Sequence, residues 1–219
     1  MVPTSHAVVC VIILMILEAR MMKKFSPVVW IASLLLLAST ANAQSASLSV
    51  EGRRSTLSFI SDAPGERIVG TASGISGSIQ TDLANPAATT GTIQFPVSSM
   101  ETGNAMRDRH MQGEQWLNGD ANPNIIFTIE RIDNPTISTD GNRTDITGTA
   151  VGTVTINGVA APVQAQVAVA LNSETRTARI QPTFSVSLAA HNIAGRDGAI
   201  GDTVGATIAI EGTVYAAWE

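Results

Sequence analysis

The chain has 219 residues, 44% hydrophobic and only 4% aromatic, and its 13 basic and 18 acidic residues give a net charge of −5. An acidic chain without a basic run excludes the electrostatic footprint of a nucleic-acid binder or of a protein held on an anionic membrane surface. Its one cysteine, Cys10, excludes a disulfide framework within the chain.

The first forty-odd residues read as targeting rather than fold. Met21-Met-Lys-Lys24 is a short basic segment. Val28 to Ala38 is an apolar run, and Ala41-Asn42-Ala43 is a small-x-small cleavage site. Together they predict a secretory signal peptide over 21–43, cleaved before Gln44. The apolar run is shorter than the ~20 residues of a membrane-spanning helix, so no stable membrane anchor is expected after cleavage. A second apolar run, Val8 to Leu17, precedes it. Two such runs in tandem do not suit one signal, and residues 1–20 read as a mis-assigned start ahead of Met21 or Met22. Cys10 and both lysines, Lys23 and Lys24, would leave with the leader. Residues 44–219 are enough for one domain with a sizeable core.

That domain reads as all-β, from period-two alternation. Leu57 and Phe59 alternate with Thr56 and Ser58, and Ile93, Phe95 and Val97 with Thr92 and Gln94. Gly148, Ala150, Gly152, Val154 and Ile156 share a parity. So do Val163, Ala165, Val167, Val169 and Leu171. Phe184, Val186 and Leu188 follow, then the even positions from Ala206 to Trp218. Each segment has a dry face and a wetter face, as in an antiparallel sheet. Asp140-Gly141 and Asn157-Gly158 predict two-residue hairpins, and Asn85-Pro86 and Asn134-Pro135 predict turns. About eight strands result, with no βαβ rhythm, so a sandwich or barrel is expected. The dry faces carry many small residues, which either leave a cavity or let neighbouring strands pack closely. An eight-stranded barrel is wide enough for one slender ligand.

One stretch breaks the alternation. From Asn104 to Leu117 the spacing is helical, with Met106, His110, Gly113 and Leu117 near one face. Thr102 is the expected N-cap, and Gly119 and Pro123 end the element. This short helix, about 104–117, is expected to cap one end of the barrel. A Gly-rich stretch, 190–202, reads as a loop over one end.

Four motifs carry a resemblance. Thr102-x-Asn104-x-x-Arg107-Asp108-x-His110-Met111 is the first. Ile68 to Ile79, Gly-rich, is the second. Trp116-Leu117 followed by Asn122-Pro-Asn-Ile-Ile-Phe127 is the third, and Gly152 to Val163 the fourth. In this order they resemble the YceI-like family of periplasmic, lipocalin-like barrels that bind polyisoprenoids. The resemblance implies an antiparallel eight-stranded lipocalin-like barrel, exported to the periplasm. It also implies a long-chain isoprenoid lipid or isoprenoid quinone as ligand and no other cofactor. Two positions depart from the family's pattern: Leu188 stands where it usually has Arg, and Asn192 where it usually has Gly.

The ligand-contact candidates are Asn104, Arg107, Asp108, His110 and Trp116 at the lid, with Phe127, Ala150, Val154 and Phe184 on the inner wall. Each also has a structural reading. Arg107 or Arg109 would tie the helix to the barrel by pairing with a carboxylate. Arg107 and Asp108 would point apart, because adjacent helical residues do. His110 would be a buried, hydrogen-bonded histidine. Trp116 and Trp218 would pack as core aromatics. No Gly-x-Ser-x-Gly, His-Glu-x-x-His or phosphate loop occurs, and no enzyme is expected. A hydrolase or isomerase using His110 and Asp108 stays open beside the carrier. So does a surface-acting stress or interaction protein with a filled core. The chain reads as a monomer or a homodimer.

Overall fold

The computed structural model describes residues 45–218. The expected start and signal peptide, 1–20 and 21–43, lie outside the described residues. Ten strands follow in order: β1 (Ser45–Val50), β2 (Thr56–Asp62), β3 (Arg67–Ala72), β4 (Ser76–Asp82), β5 (Thr90–Pro96), β6 (Asn124–Asp140), β7 (Arg143–Ile156), β8 (Val159–Asn172), β9 (Thr177–Ser187) and β10 (Thr207–Trp218). One α-helix, α1 (Ala105–Gln112), interrupts them between β5 and β6.

Eight of these strands close a ring, in the order β1-β4-β5-β6-β7-β8-β9-β10, and β10 returns to β1. All pairings are antiparallel. β2 and β3 are continuations rather than extra staves. β10 pairs with β1 from Ala216 to Trp218 and with β2 from Thr207's neighbour Ile208 to Thr213. β1 and β2 thus lie along one strand path, broken at 51–55. β3 and β4 lie along the next, pairing with β2 and β1 respectively. Ser55 stitches the first break. Its hydroxyl donates to the Glu51 carbonyl at 2.8 Å and accepts from the Tyr215 N–H at 2.9 Å. A break that would strand backbone groups is thereby satisfied from within. The eight-stranded barrel expected from the sequence is the one observed.

Inward residues keep the expected parity. In β7, Ile146, Ala150, Gly152, Val154 and Ile156 are all buried. In β8, Val163, Ala165 and Leu171 are buried between exposed Gln164 and Gln166. The Asn157-Gly158 hairpin has its two-residue loop, with both residues at positive φ, between Ile156 and Val159. The other hairpin is shifted by one: Asp140 pairs with Arg143, so Gly141 and Asn142 make the turn. Asn134-Pro135 is no turn between strands. It is a bulge inside the 17-residue β6, at the register shift between Asp133 and Thr136, with Asn134 at φ 51°. Proline fits a ladder only where its missing N–H is not required, as at a bulge.

The helix is shorter than expected and capped differently. It ends at Gln112, with Gly113 as C-cap. Asn104, not Thr102, is the N-cap: its Oδ1 accepts from the Met106 and Arg107 N–H groups at 3.1 and 3.2 Å. Thr102 instead donates, through its N–H and its hydroxyl, to Asp108 Oδ1 at 2.8 and 2.7 Å. Helix and side-chain clip together fix the entry to α1.

Candidate functional site

Two groups of buried apolar residues occupy the barrel, one towards each end. The end that carries α1 packs Phe59, Val97, Met100, Leu117, Val154, Val186, Leu188 and Ile193. The other packs Leu48, Ile79, Ile132, Ile146, Leu171, Ile180 and Val214. Between and through them runs a cavity of about 600 Å³. Its wall is contributed by every stave of the ring, because each inward position faces the same axis. Ala150, Ala165 and Val154 hold the middle open where larger residues would fill it. Phe127 and Phe184 form a tilted aromatic pair on the wall, ring centroids 5.8 Å apart. Gly70 is required by close approach. A Cβ there would overlap the Phe59 ring and crowd the Glu101 carbonyl, so its absence makes room for both.

The two ends of the cavity differ. At the floor, Pro86 of a 3-10 turn (Pro86–Ala88) lines the cavity, and the Thr81 and Thr89 hydroxyls satisfy each other at 2.7 Å. At the mouth stand three structures: α1, the turn between β2 and β3, and the loop between β9 and β10. Arg107 Nη2 reaches Glu66 Oε1 at 2.8 Å and ties α1 to the β2–β3 turn. The Gly65 N–H donates to the Asp202 carbonyl at 2.9 Å and ties that turn to the long loop. Gly195, at φ +71°, lies against Trp116 and Ile200, so the loop folds onto the residues that follow α1. All charged residues lining the cavity, Glu66, Arg107, His110, Arg196 and Asp197, belong to this mouth.

Eight of the nine expected contact residues line this one cavity: Asn104, Arg107, His110, Trp116, Phe127, Ala150, Val154 and Phe184. Asp108 does not, because Thr102 holds its carboxylate at the base of the lid. Arg107 and Asp108 do point apart, and Arg107 does pair with a carboxylate. The histidine reading is corrected. His110 is exposed at the mouth, since α1 buries none of its residues. The buried one is His191, 2% exposed, with Nδ1 2.9 Å from the Val159 carbonyl. Trp116 and Trp218 pack at opposite ends. Met106, placed by the helical spacing on one face with His110 and Leu117, sits on the rim and is 61% exposed. Leu188 is buried in the cavity wall, so the position carries no charge into the throat. Sequence reasoning missed Glu66, Arg196 and Asp197. Among the described residues no group of three or more His, Cys, Asp or Glu could hold a metal.

The family model of the YceI-like domain matches residues 48–214. The YceI protein of Shigella flexneri is 31% identical over 133 residues, 60% of this chain and 65% of that protein. That of Salmonella newport is 29% identical over 134 residues, 61% of this chain and 65% of that protein. The chain thus spans slightly less than two thirds of these relatives' length. Among solved structures, BcnA of Burkholderia cenocepacia superposes with a TM-score of 0.61 at 22% identity, covering 76% of this chain and 98% of that one. A polyisoprenoid binding domain from Saccharophagus degradans, implicated in plant cell wall breakdown, gives 0.58 at 15% identity, covering 78% and 98%. The YceI protein of Campylobacter jejuni gives 0.53 at 20%, covering 72% and 88%. At these identities the structures speak for the barrel, and with the match across residues 48–214 this chain belongs to the YceI-like family.

Proposed function

We propose that this is an exported, periplasmic protein that holds a long apolar isoprenoid chain inside its barrel, for storage or transport. The observation that carries this reading is the cavity itself: about 600 Å³, walled by aliphatic and aromatic side chains, with charges only at one end. Such a space suits one apolar chain with a polar head at the mouth. Each Å² of apolar chain moved from water into it contributes about 25 cal/mol, and nothing specific to a functional group is needed along the wall. The likeness to a barrel described as polyisoprenoid binding supports the isoprenoid identity. The wall alone would serve any slender apolar chain. No catalytic role is proposed: His110 is solvent-exposed and Asp108 is engaged by Thr102, so no base and orienting acid converge.

The test is native mass spectrometry on protein taken from periplasmic extract, followed by solvent extraction and a refill with a polyprenol. Bound isoprenoid in the native sample and uptake by the stripped protein are expected. Protein that emerges empty and takes up no polyprenyl compound would leave the surface-acting reading in its place.

A further inference from the structure

We propose, resting on the reading of the cavity as a lipid holder, that Glu66 makes the mouth a charge filter: it admits amphiphiles with an uncharged, hydrogen-bond-accepting head and disfavours phosphate or carboxylate heads. Two arginines line the cavity at its mouth and would otherwise form an anion site, since guanidinium forks match phosphate and carboxylate oxygens. Both are already answered. Arg107 Nη2 lies 2.8 Å from Glu66 Oε1, and Arg196 Nε lies 3.0 Å from Asp197 Oδ2. The formal charges of these four residues cancel. Asp108, one residue along α1 from Arg107, adds a further negative charge at the base of the lid.

Nothing deeper replaces the missing positive charge. Met100, Leu117, Leu188 and Ile193, around the throat, are buried and apolar. An anionic head drawn to Arg107 would therefore sit beside the Glu66 carboxylate, and the other guanidinium lining the cavity, Arg196, is itself paired with Asp197. A neutral head meets no such opposition. A guanidinium has five N–H donors, and Glu66 leaves several free to donate to a carbonyl, ether or hydroxyl oxygen. Arg107 is thus a donor for the head, and Glu66 decides which heads can reach it.

The experiment compares the full-length exported protein, stripped of lipid, with its Glu66→Gln and Arg107→Gln variants. The probes are a polyprenol and the polyprenyl monophosphate of the same chain length, with uptake read by native mass spectrometry and competitive displacement. The native protein should prefer the alcohol by roughly tenfold, the scale of one opposed charge at a partly exposed site. The preference should narrow as salt is raised. Glu66→Gln frees Arg107 and should flatten or reverse the preference by strengthening phosphate binding. Arg107→Gln should not bring phosphate in. Equal binding of both probes by the native protein, or a preference unchanged in Glu66→Gln, overturns the filter while leaving the lipid holder standing. Uptake of neither probe overturns both.

Discussion

Ala150 of β7 and Ala165 of β8 are directly paired across the sheet, and both methyl groups face the cavity, 2% and 1% exposed. They are the narrowest side chains at mid-barrel, and their smallness sets the free width there. Replacing both by Phe should abolish uptake of a polyprenyl chain, read by native mass spectrometry. The fold should survive, because both positions line the cavity, which can take up part of the added volume. The stability change should stay within the about 1–3 kcal/mol cost of overpacking a filled core. Undiminished uptake by the folded double variant would place the binding space elsewhere.

The inner wall was legible because parity is rigid. A strand turns its side chains with period two, so Gly148 to Ile156 and Val163 to Leu171 declare their face without any knowledge of neighbours. The breaks between β1 and β2 and between β3 and β4 were not legible. Residues such as Gly52 and Ser55 mark a turn or a bend equally well, and only pairing with β10 shows that the path continues. Asn134-Pro135 failed for the same reason. A bulge and a turn ask for the same residues.

The lid depends on its cap. Asn104 Oδ1 accepts two of the N–H groups that the first turn of α1 cannot satisfy internally. Asn104→Ala should cost about 1 kcal/mol, concentrated in α1, because a helix of this length does not hold itself in water. Hydrogen exchange should show faster exchange over Ala105–Gln112 and little change in β7 and β8. An unaltered pattern in α1 would mean that the Thr102–Asp108 clip and the Arg107–Glu66 pair hold the lid without the cap.

The site was half legible. The cluster Arg107-Asp108-Arg109-His110 announced the mouth, and the expectation that an arginine would find a carboxylate was met. Its partner could not be named. Glu66 lies in the β2–β3 turn, just before β3, and only barrel closure brings that turn to α1. His110 misled because helical spacing implied a buried face. An eight-residue helix lying across an open rim has no core to bury it in.

The two histidines should therefore behave oppositely on substitution. His191 sits in the turn after β9, where its Nδ1 approaches the Val159 carbonyl and its own carbonyl accepts from Asn157 Nδ2 at 3.5 Å. His191→Ala should cost about 1–3 kcal/mol, from a partly buried carbonyl left without its partner and from the lost packing of a buried ring. His110→Ala should stay within about 0.5 kcal/mol. Urea unfolding of the two variants measures both. Equal effects would refute the assignment of the structural role to His191.

At the opposite end of the barrel, Arg143 holds Asp145 with two hydrogen bonds, Nε to Oδ2 at 2.7 Å and Nη2 to Oδ1 at 2.8 Å. These bonds keep the Asp145 carboxyl below the usual carboxylate range; desolvation opposes them, and the charges of Arg143 and Arg179 make smaller contributions to the lowering. Arg179 contributes because Asp145 pairs with Ala170, and Ala170 with Arg179 on the next strand. A depressed carboxyl stabilises the fold above its unfolded pKa, about 3.9, and loses that contribution as the pH falls through its folded value. Any stability difference between the native protein and Arg143→Gln should thus be present at neutral pH and vanish in acid. Both groups are solvent-exposed, so the difference should be small and the local titration is the better readout. Carboxyl carbon shifts followed against pH should show Asp145 titrating low in the native protein and returning towards the ordinary range in Arg143→Gln. A titration that stays low in the variant would assign the effect to Arg179 across the sheet.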